Sequence, residues 1–404
     1  MGTDVEVAVV GGGVMGACTA WRTARRGHDV HLFEQFERGH PHGSSHGSAR
    51  IFRLAYPDAE YVTMARAGLP LWDELEVVTG ATLRTRVGEL DHGDPGEVAA
   101  IAANLGDAGL DHEVLSPADV AARWPGLRAD RAAVFHPDGG TVDATATVLA
   151  ALDAATQLGA IVHERCPVHR IEPLSGSIGR SDAGVVMHTA DGRVTARRVV
   201  VTAGAWVGAM LGDLLGSTDG HGPVLPAMVV TREQPVHCTR VPVAAAGDNG
   251  AAPWPAFIHW SDAGPEKTSG VDELVWGYGM QTPDGRIKLG EHHTGEVVAR
   301  IEPGQSSPTP PVEEVQAVDL ERLERLREYA RTWLPGVDPE SAEPERCLYT
   351  STASTDFVLD RVGPLVIAAG FSGHGFKFAP RIGDVVAAMV AGDPSPTRRF
   401  SLRR

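Results

Sequence analysis

Hydrophobic and polar positions at the start of the chain follow the pattern of a strand–helix–strand unit. The apolar, β-branched run Val5–Val10 is typical of a buried parallel strand. A glycine-rich segment at 11–16 separates it from residues 17–26, whose pattern predicts a helix that ends at Gly27. Residues 28–34 (HDVHLFE) predict a second strand that ends at Glu34. The N-terminus therefore predicts a complete βαβ unit.

The glycines of this unit have a spacing that carries chemistry. Gly11, Gly13 and Gly16 form a G-x-G-x-x-G pattern between the predicted strand and helix. The first allows a tight turn, the second lets the backbone approach a pyrophosphate, and the third lets helix and strand pack closely. Helix N-termini bind phosphate, and Glu34 is placed to accept a hydrogen bond from a ribose hydroxyl. The pattern predicts a dinucleotide site without separating FAD from NAD, the alternative being an ordinary glycine-rich turn.

The same patterns predict an α/β chain with an inserted, strand-rich segment. Ser116 and Pro117 are typical of a helix start. Two strands are predicted around the Asp191–Gly192 turn, and residues 91–97 (DHGDPGE) have the composition of a surface connection. Residues 216–285, rich in Pro, Gly and Trp, predict a largely antiparallel domain. Further helices are predicted at 62–79, 116–126, 143–159, 312–333 and 380–391, a strand at 364–370 and a loop at 303–311.

Composition narrows the class of protein. A chain of 404 residues predicts about two domains. A net charge of −16 argues against nucleic acid or an anionic membrane as partner, because both need a basic surface. No apolar run reaches the roughly 18–20 residues of a membrane span, and no secretory signal is visible, so a cytoplasmic protein is expected. The four cysteines lack a CxxC pair, which favours neither a disulfide framework nor a zinc site; they are Cys18, Cys166, Cys238 and Cys347.

Two segments present polar groups on glycine-rich loops. Residues 43–53 (GSSHGSARIFR) offer His46, Arg50 and Arg53, and a helical turn would place both arginines on one side. A solvated loop with surface arginines is the simpler alternative. Residues 371–378 (FSGHGFKF) offer Lys377 beside two glycines, although a plain strand-to-helix turn has the same composition.

A third segment, residues 286–293 (RIKLGEHH), places a lysine in a strand-like stretch. Alternation would put Lys288 and His292 on one face of that strand. A surface hairpin and a metal site are the alternatives, but the pair His292–His293 has no nearby acids or cysteines in a metal-binding pattern.

Together these segments resemble the monomeric sarcosine oxidase family, flavin amine oxidases that include N-methyltryptophan oxidase. The similarity covers nearly the whole chain, in the family's order. The similar segments are GGGVMG (11–16), GSSHGSARIFRLAY (43–56), VTAGAW (201–206), KLGEHH (288–293), CLYT (347–350) and GFSGHGFKF (370–378). This resemblance implies an α/β fold with a Rossmann-like (GR2-type) FAD-binding domain and a second domain with a mixed or antiparallel sheet.

The resemblance also implies roles for individual residues. Cys347 matches the cysteine that carries FAD through an 8α-thioether, although a buried structural thiol is the usual fate of a lone cysteine. Arg53 and Lys377 match the pair that binds the substrate carboxylate, and Lys288 matches the lysine at which oxygen is reduced. The residues implied near the flavin ring or substrate are Arg50, His46, His292 and Tyr349. The residues implied in cofactor binding are Gly11, Gly13, Gly16, Glu34, Ser44, Ser45, Cys347, Gly373, Gly375 and Lys377.

The implied organisation is discontinuous. Residues 1–85, 142–215 and 335–400 would form the FAD domain, and residues 86–141 and 216–334 the substrate domain. The reaction would oxidise a secondary amine, an N-methyl or cyclic amino acid, to an imine, with O2 reduced to H2O2 by a monomeric enzyme. Its partners would be a small amino-acid substrate and O2.

Two features limit the resemblance, and two other functions remain open. Asp356 stands where relatives often have histidine, and the tryptophans of the inserted segment could line the pocket or belong to the core; they are Trp254, Trp260 and Trp276. An FAD-dependent dehydrogenase of amino or hydroxy acids, using an acceptor other than oxygen, is one alternative function. A non-catalytic flavin-binding protein is the other. The acidic charge disfavours a tRNA-modifying enzyme.

Overall fold

The predicted βαβ unit is present in the structure, a computed structural model that describes residues 4–175, 178, 183–215, 223–243, 253–261, 264–270, 275–307 and 318–402. Strand β1 covers Val5–Val10, helix α1 covers Val14–Arg25 and strand β2 covers Val30–Phe33. Further helices are α2 (Ala59–Thr79), α3 (Pro95–Asp107), α4 (Pro117–Arg123), α5 (Ala144–Gln157), α6 (Val207–Leu211), α7 (Leu320–Trp333) and α8 (Ala379–Ala391).

Together with β1 and β2, twenty further strands of the described residues form four sheets. They are β3 (Arg50–Phe52), β4 (Arg84–Thr85), β5 (Glu89–Gly93), β6 (Glu113–Leu115), β7 (Ala133–His136), β8 (Gly140–Val142), β9 (Ile161–His163), β10 (Val168–Pro173), β11 (Val185–Thr189), β12 (Gly192–Val201), β13 (Met228–Glu233), β14 (Val236–Arg240), β15 (Ala256–Trp260), β16 (Val275–Gln281), β17 (Ile287–Glu291), β18 (Glu296–Ile301), β19 (Val337–Pro344), β20 (Cys347–Thr352), β21 (Val358–Val362) and β22 (Leu365–Ala369).

The first sheet is built around parallel strands. β1 pairs in parallel with β2 and β12, β2 with β9, and β12 with β22. β10, β11 and β21 extend this sheet with antiparallel pairs. Because parallel strands end at the same edge, the residues that follow β1, β2, β12 and β22 meet there, which is where ligands bind in open α/β sheets.

Helices α5 and α8 pack against α1 beside this sheet. The approach of α8 to α1 is close, since a Cβ on Gly383 would lie 2.6 Å from the carbonyl carbon of Cys18. Fully buried rings anchor the core at this face, among them Trp21, Trp72 and Phe378. The sequence pattern that predicted α1, α5 and α8 is therefore confirmed, with bounds shifted by up to three residues.

The second sheet is mixed, with strand order β19-β14-β17-β16-β15-β5-β7-β6. Its pairs are antiparallel except β15 with β5. The described parts of residues 216–285 are strand-rich and largely antiparallel, as predicted. β13 pairs with β18 and β20 in a third sheet, and β8 pairs with β3 and β4 in a fourth. β19, at Val337–Pro344, lies in the second sheet; the division of the chain into domains stays a prediction.

Two predictions from the sequence are wrong, and one predicted helix begins later than expected. Residues 91–97 are no surface connection: β5 is buried along its whole length between β15 and β7, and α3 begins at Pro95. Arg50 and Arg53 do not share a helical turn, because Arg50–Phe52 is a strand paired with β8. The helix predicted at 312–333 begins at Leu320, capped by Asp319, and residues 312–317 lie outside the described part.

Candidate functional site

A cavity of about 650 Å³ lies where the carboxyl edge of the first sheet faces the second sheet. One wall comes from the segments that follow β1, β2, β12 and β22. The other wall comes from β15, β16, β17 and β20. All predicted site residues line this cavity except Gly16 and His46. Residues from distant parts of the sequence are thus brought to one site.

The glycine loop forms one part of the cavity wall. Gly11 has a φ of +101°, a conformation that glycine adopts without steric penalty. A Cβ on Gly16 would lie 1.8 Å from the carbonyl oxygen of Gly11, so only glycine permits this contact between the loop and α1. The backbone N–H of Val14, at the start of α1, donates to the Ser45 hydroxyl at 3.1 Å. The loop therefore has the close backbone approach and the helix N-terminus that a diphosphate requires.

Glu34 follows β2 and lines the cavity beside this loop. One of its carboxylate oxygens accepts from the Gly12 N–H at 2.6 Å, and the other accepts from the Phe36 N–H at 2.9 Å. Burial alone would raise the pKa of Glu34, but the hydrogen bonds with His40 and these N–H groups outweigh it and hold the pKa below its ordinary value. An ionised carboxylate at this position is suited to accept hydrogen bonds from ribose hydroxyls.

Cys347 begins β20 and lines the same cavity. Burial raises the pKa of its thiol to about 11, although Arg50 and Lys288 act in the opposite direction. The Ser44 hydroxyl donates to the Leu348 carbonyl and so joins the loop before β3 to β20. The residues present therefore fit FAD: a phosphate cradle, a ribose acceptor and a cysteine share one continuous cavity.

Arg53 and Lys377 come together on Tyr56. The Arg53 guanidinium lies 4.1 Å from the centre of the Tyr56 ring, and the Lys377 ammonium donates to the Tyr56 hydroxyl at 2.8 Å. Lys377 also donates to the His374 carbonyl at 2.7 Å. Both cations are buried and line the cavity. Two buried cations on one aromatic residue form a site suited to a carboxylate.

A buried carboxylate that the sequence analysis missed supports Arg53. The Asp91 Oδ1 atom accepts from Arg53 at 3.3 Å and from the Trp260 indole N–H at 2.8 Å. Glu89 lies two residues earlier on the same face of β5, also fully buried. Burial and the neighbouring Asp91 raise the pKa of Glu89 well above its ordinary value, which favours one shared proton between the two carboxyl groups. The alternation Glu89–Asp91 was the available signal, hidden by the turn-like composition of DHGDPG.

An aromatic group with a neutral histidine lines the cavity near these cations. His292 and Tyr349 contact each other edge-to-face with ring centres 5.3 Å apart, and Tyr278 approaches His292 at 6.1 Å. Burial and the neighbouring His293 lower the pKa of His292 well below its ordinary value, so its imidazole is neutral at pH 7. Lys288 and His292 both line the cavity, as alternation along β17 predicted.

Lys288, Arg50 and His46 surround a second carboxylate that the sequence analysis missed. The Lys288 ammonium forms an ion pair with Glu345, which stands two residues before Cys347. Arg50 lines the cavity and donates to the His46 carbonyl at 2.6 Å. His46 lies behind the cavity wall, with its Nδ1 atom 3.8 Å from Glu345. The motif at 347–350 indicates a role for the Cys347 thiol and none for Glu345. No spacing in the sequence links Glu345 to Lys288.

The tryptophans of the inserted segment divide between the pocket and the core. Trp260 lines the cavity beside Arg53. Trp254 and Trp276 pack in the core of the second sheet, where Trp254 closely contacts the backbone of Gly126 and Gly336. Asp356 accepts from the Tyr61 hydroxyl at 3.2 Å and pairs with Arg399, both of which line the cavity.

The described part of the chain has neither a cluster of metal ligands nor a helix suited to a membrane. No group of three or more His, Cys, Asp or Glu residues there could hold a metal ion. No helix among the described residues has the length and apolar character needed to cross a membrane.

Comparison with known proteins gives consistent matches. The sequence profile of the DAO family, described as FAD dependent oxidoreductase, matches residues 6–389. The chain is 30% identical over 400 residues to monomeric sarcosine oxidase of Bacillus sp. (strain NS-129), covering 96% of this chain and 94% of that protein. It is 28% identical over 411 residues to N-methyl-L-tryptophan oxidase of Yersinia pestis (strain Pestoides F), covering 99% of each.

A solved structure shares the fold. The open form of a Tyr258Phe mutant of NikD, an amino acid oxidase essential for nikkomycin biosynthesis, superposes with a TM-score of 0.77 at 25% sequence identity. The superposition covers 100% of this chain and 98% of that one. The fold class predicted from the sequence is confirmed by this similarity.

Proposed function

The chain belongs to the FAD-dependent oxidoreductase family, and from that membership we propose that it oxidises the C–N bond of a secondary amine, an N-methyl or cyclic amino acid. The amine becomes an imine, which water hydrolyses when it is acyclic, and O2 takes the two electrons and two protons to give H2O2. The similarity to a sarcosine oxidase and an N-methyltryptophan oxidase supports this substrate class. Bound FAD supplies the two-electron acceptor.

The observation that carries the proposal is the pair of buried cations on Tyr56. Arg53 and Lys377 would hold the substrate carboxylate through charge-assisted hydrogen bonds, which are stronger than neutral ones. Asp91 fixes the guanidinium of Arg53 from behind, and because a guanidinium carries several N–H donors it can contact Asp91 and a substrate carboxylate together. A carboxylate held at two points fixes the direction of the rest of the amino acid.

The aromatic wall defines the space beside this clamp. Trp260, Tyr349 and Met280 line the cavity with largely apolar surface. Such surface is suited to an N-methyl group, a ring or an apolar side chain, and it excludes water from the reacting bond. Because burial keeps His292 neutral, its imidazole adds no charge beside the amine of the substrate.

Lys288 is the residue that we assign to the reduction of oxygen. Lys288 lines the cavity and is 3% exposed, so its charge acts in a water-poor environment. A fixed cation there stabilises negative charge that develops on oxygen. We assign Cys347 as the attachment point of FAD and Gly11, Gly13 and Glu34 as the residues that hold its nucleotide part. We also propose a monomer that acts on its own in the cytoplasm.

Peroxide release tests the proposal. The purified protein is mixed in air with sarcosine, other N-methyl amino acids, proline and pipecolate, and H2O2 is measured with a coupled peroxidase. We expect at least one of these amines to give stoichiometric peroxide. Flavin that an amine bleaches without peroxide in air would instead favour a dehydrogenase with another acceptor. Flavin that no amine bleaches under anaerobic conditions would contradict an amine-oxidising function.

A further inference from the structure

Three polar groups, from β14, β17 and the loop before β3, converge on the carboxylate of Glu345. The Lys288 ammonium pairs with its Oε2 atom, and the His237 Nε2 atom lies 3.2 Å from the same oxygen. The His46 Nδ1 atom lies 3.8 Å from Oε1. A Cβ on Gly47 would lie 2.8 Å from Oε1, so the loop before β3 also presses on this carboxylate. Glu345 is thus enclosed by the loop, β14 and β17.

The backbone holds this carboxylate in a defined place. The Glu345 N–H donates to the Pro235 carbonyl at 2.8 Å, just before β14 begins. On β14, His237 stands directly opposite Lys288 of β17 in the antiparallel register. Glu345 therefore contacts two neighbouring side chains of the second sheet, and of these three residues only Lys288 lines the cavity.

The charge of Lys288 depends on its surroundings because the side chain is buried. Burial lowers the pKa of Lys288, and the nearby Arg50 lowers it further, whereas Glu345 and Cys347 act in the opposite direction. A buried ammonium without a counterion tends to lose its proton. The pKa of Glu345 itself is held far below its ordinary value: burial would raise it, but the His237 hydrogen bond and the charges of Lys288 and Arg50 outweigh burial. Glu345 is therefore ionised at neutral pH.

We infer that Glu345 is a positioning residue of the oxygen site: it keeps the Lys288 ammonium protonated and directs it toward the cavity. His237 in turn anchors the Glu345 carboxylate. This inference rests on the proposed role of Lys288 in oxygen reduction. The groups that face Lys288 or Glu345 are Arg50 and His46 from the loop and β3, His237 from β14 and Cys347 from β20. None of these four groups, all within the described residues, is an ionised acid, so the loss of Glu345 leaves Lys288 beside the fixed charge of Arg50.

Glu345→Gln tests this role, because the amide keeps the shape and removes the charge. The holoenzyme is reduced with dithionite under anaerobic conditions, so no amine is needed, and is then mixed with oxygenated buffer at a series of pH values. In the wild type we expect rapid reoxidation that declines only at alkaline pH. In Glu345→Gln the decline should begin at least about one pH unit lower, with about a tenfold loss of rate for each further unit. An unchanged pH profile would overturn the inference.

Two further variants show whether the effect acts through Lys288. In a Lys288→Met background, adding Glu345→Gln should leave reoxidation unchanged at every pH, because the cation that Glu345 supports is already gone. A further loss in that background would contradict the inference. Glu343→Gln is the matched control: this neighbouring carboxylate pairs with Arg286 at the surface at 2.7 Å and should not alter the profile.

Thermal unfolding of the same holoenzymes gives a readout that does not depend on turnover. Lys288→Met and Glu345→Gln each leave one charge of the pair without its partner and should lower Tm, whereas the double variant should lose less than the sum of the two shifts. Additive shifts would contradict the ion pair. If Glu345→Gln does not fold, His237→Gln, which removes only the anchor of the carboxylate, should move the pH profile in the same direction.

The inference and the proposed function fail in different ways. If no amine reduces the flavin but Glu345→Gln still shifts the pH profile of chemically reduced enzyme, the substrate assignment is wrong and the inference stands. If an amine does reduce the flavin and the profile is unchanged, the function stands and the role of Glu345 is wrong.

Discussion

The two cations on Tyr56 make the assignment of substrate class testable at single side chains. Arg53→Met and Lys377→Met each remove one charge-assisted contact, worth roughly 1.5–3 kcal/mol. We expect each to raise the Kd of an N-methyl amino acid by about tenfold or more, as measured by spectral titration of the flavin. The two effects should not be additive, because both side chains contact one carboxylate.

Controls for this prediction separate charge from folding. Arg66→Met changes an exposed arginine of α2 and should leave the Kd unchanged. Acetate should compete with substrate in the wild type and lose that ability in both clamp variants. An amine that lacks the carboxylate provides the opposite check. If the wild type oxidises it as well as the amino acid, the clamp and the amino-acid assignment are both wrong.

The proposed attachment of FAD to Cys347, which rests on the resemblance to sarcosine oxidases, can be tested by precipitation. Protein precipitated with acid should stay yellow, and the flavin-bearing peptide should contain Cys347. Cys347→Ala should fold and release its flavin to the supernatant. Cys238→Ala, a buried thiol in the core of the second sheet, should keep the colour in the pellet. Free FAD released by acid from the wild type would rule out the tether.

Sequence reasoning found the residues that belong to a recognisable motif and missed those that support them. Lys288, His292 and Cys347 were predicted, and the structure brings them to one cavity. Asp91 and Glu345 were not predicted, although they pair with Arg53 and Lys288 across 38 and 57 positions of the sequence. The only signal for Asp91 is its alternation with Glu89, which the turn-like composition around it hides, and the contact of Glu345 with Lys288 has no local signal in the sequence.

The contact between the glycine loop and α1 predicts a strong effect of one methyl group. Gly16→Ala would place a Cβ 1.8 Å from the Gly11 carbonyl, a backbone atom that cannot move without shifting the loop. We expect a loss of about 1–3 kcal/mol in stability and a lower flavin content, measured by unfolding and by absorbance.

Gly27→Ala is the matched control at the other end of the same helix. Gly27 has a φ of +86°, but nothing lies within 4 Å of the position that a Cβ would take, so the substitution introduces backbone strain without a clash. Strain of this kind destabilises by about 1–2 kcal/mol and should leave the flavin content unchanged. Equal flavin contents in the two variants would contradict a cradle that requires Gly16.

Elements with strong local signals were predicted well, and elements defined by distant partners were not. β1 matches its predicted bounds, and α4 has the predicted Ser116 cap with a full capping box. Residues 91–97 have a composition, dominated by Asp, Gly and Pro, that predicts a surface connection. β5 contains the first three of these residues. It forms a strand because β15 and β7 pair with it on both sides, a contact between segments more than 160 residues apart in the case of β15.

The two large sheets together enclose many histidines, and this determines how the folded protein responds to acid. Loss of contact with water lowers the pKa of several histidines below the ordinary value of 6.5; they are the buried His46, His92, His259, His292 and His293 and the half-buried His374. The pKa falls to about 4 for His46 and His259 and to about 3 for His293. These groups are neutral in the folded state and protonate freely in the unfolded state.

The sign of the effect follows from proton binding. Above pH 6.5 both states are neutral at these sites, and stability does not depend on them. As pH falls from 6.5 toward about 4, the unfolded state binds more protons, so the free energy of unfolding decreases. Each such histidine contributes up to about 1.4 kcal/mol for each pH unit. Buried carboxyls with a raised pKa act in the opposite direction, but they are fewer among the described residues; they are Glu89, Asp91 and Glu233.

We therefore expect Tm to be nearly constant between about pH 7 and pH 8 and to fall steadily as pH decreases below 6.5. His92→Phe isolates one contribution: His92 is fully buried, stacks on His259 with ring centres 4.3 Å apart, and does not line the cavity. Phenylalanine keeps the ring and cannot be protonated, so the decline of Tm with acid should become shallower. Scanning calorimetry of both proteins from pH 8 to about pH 5 measures the two slopes. Equal slopes would mean that His92 does not carry the proton linkage that its burial predicts.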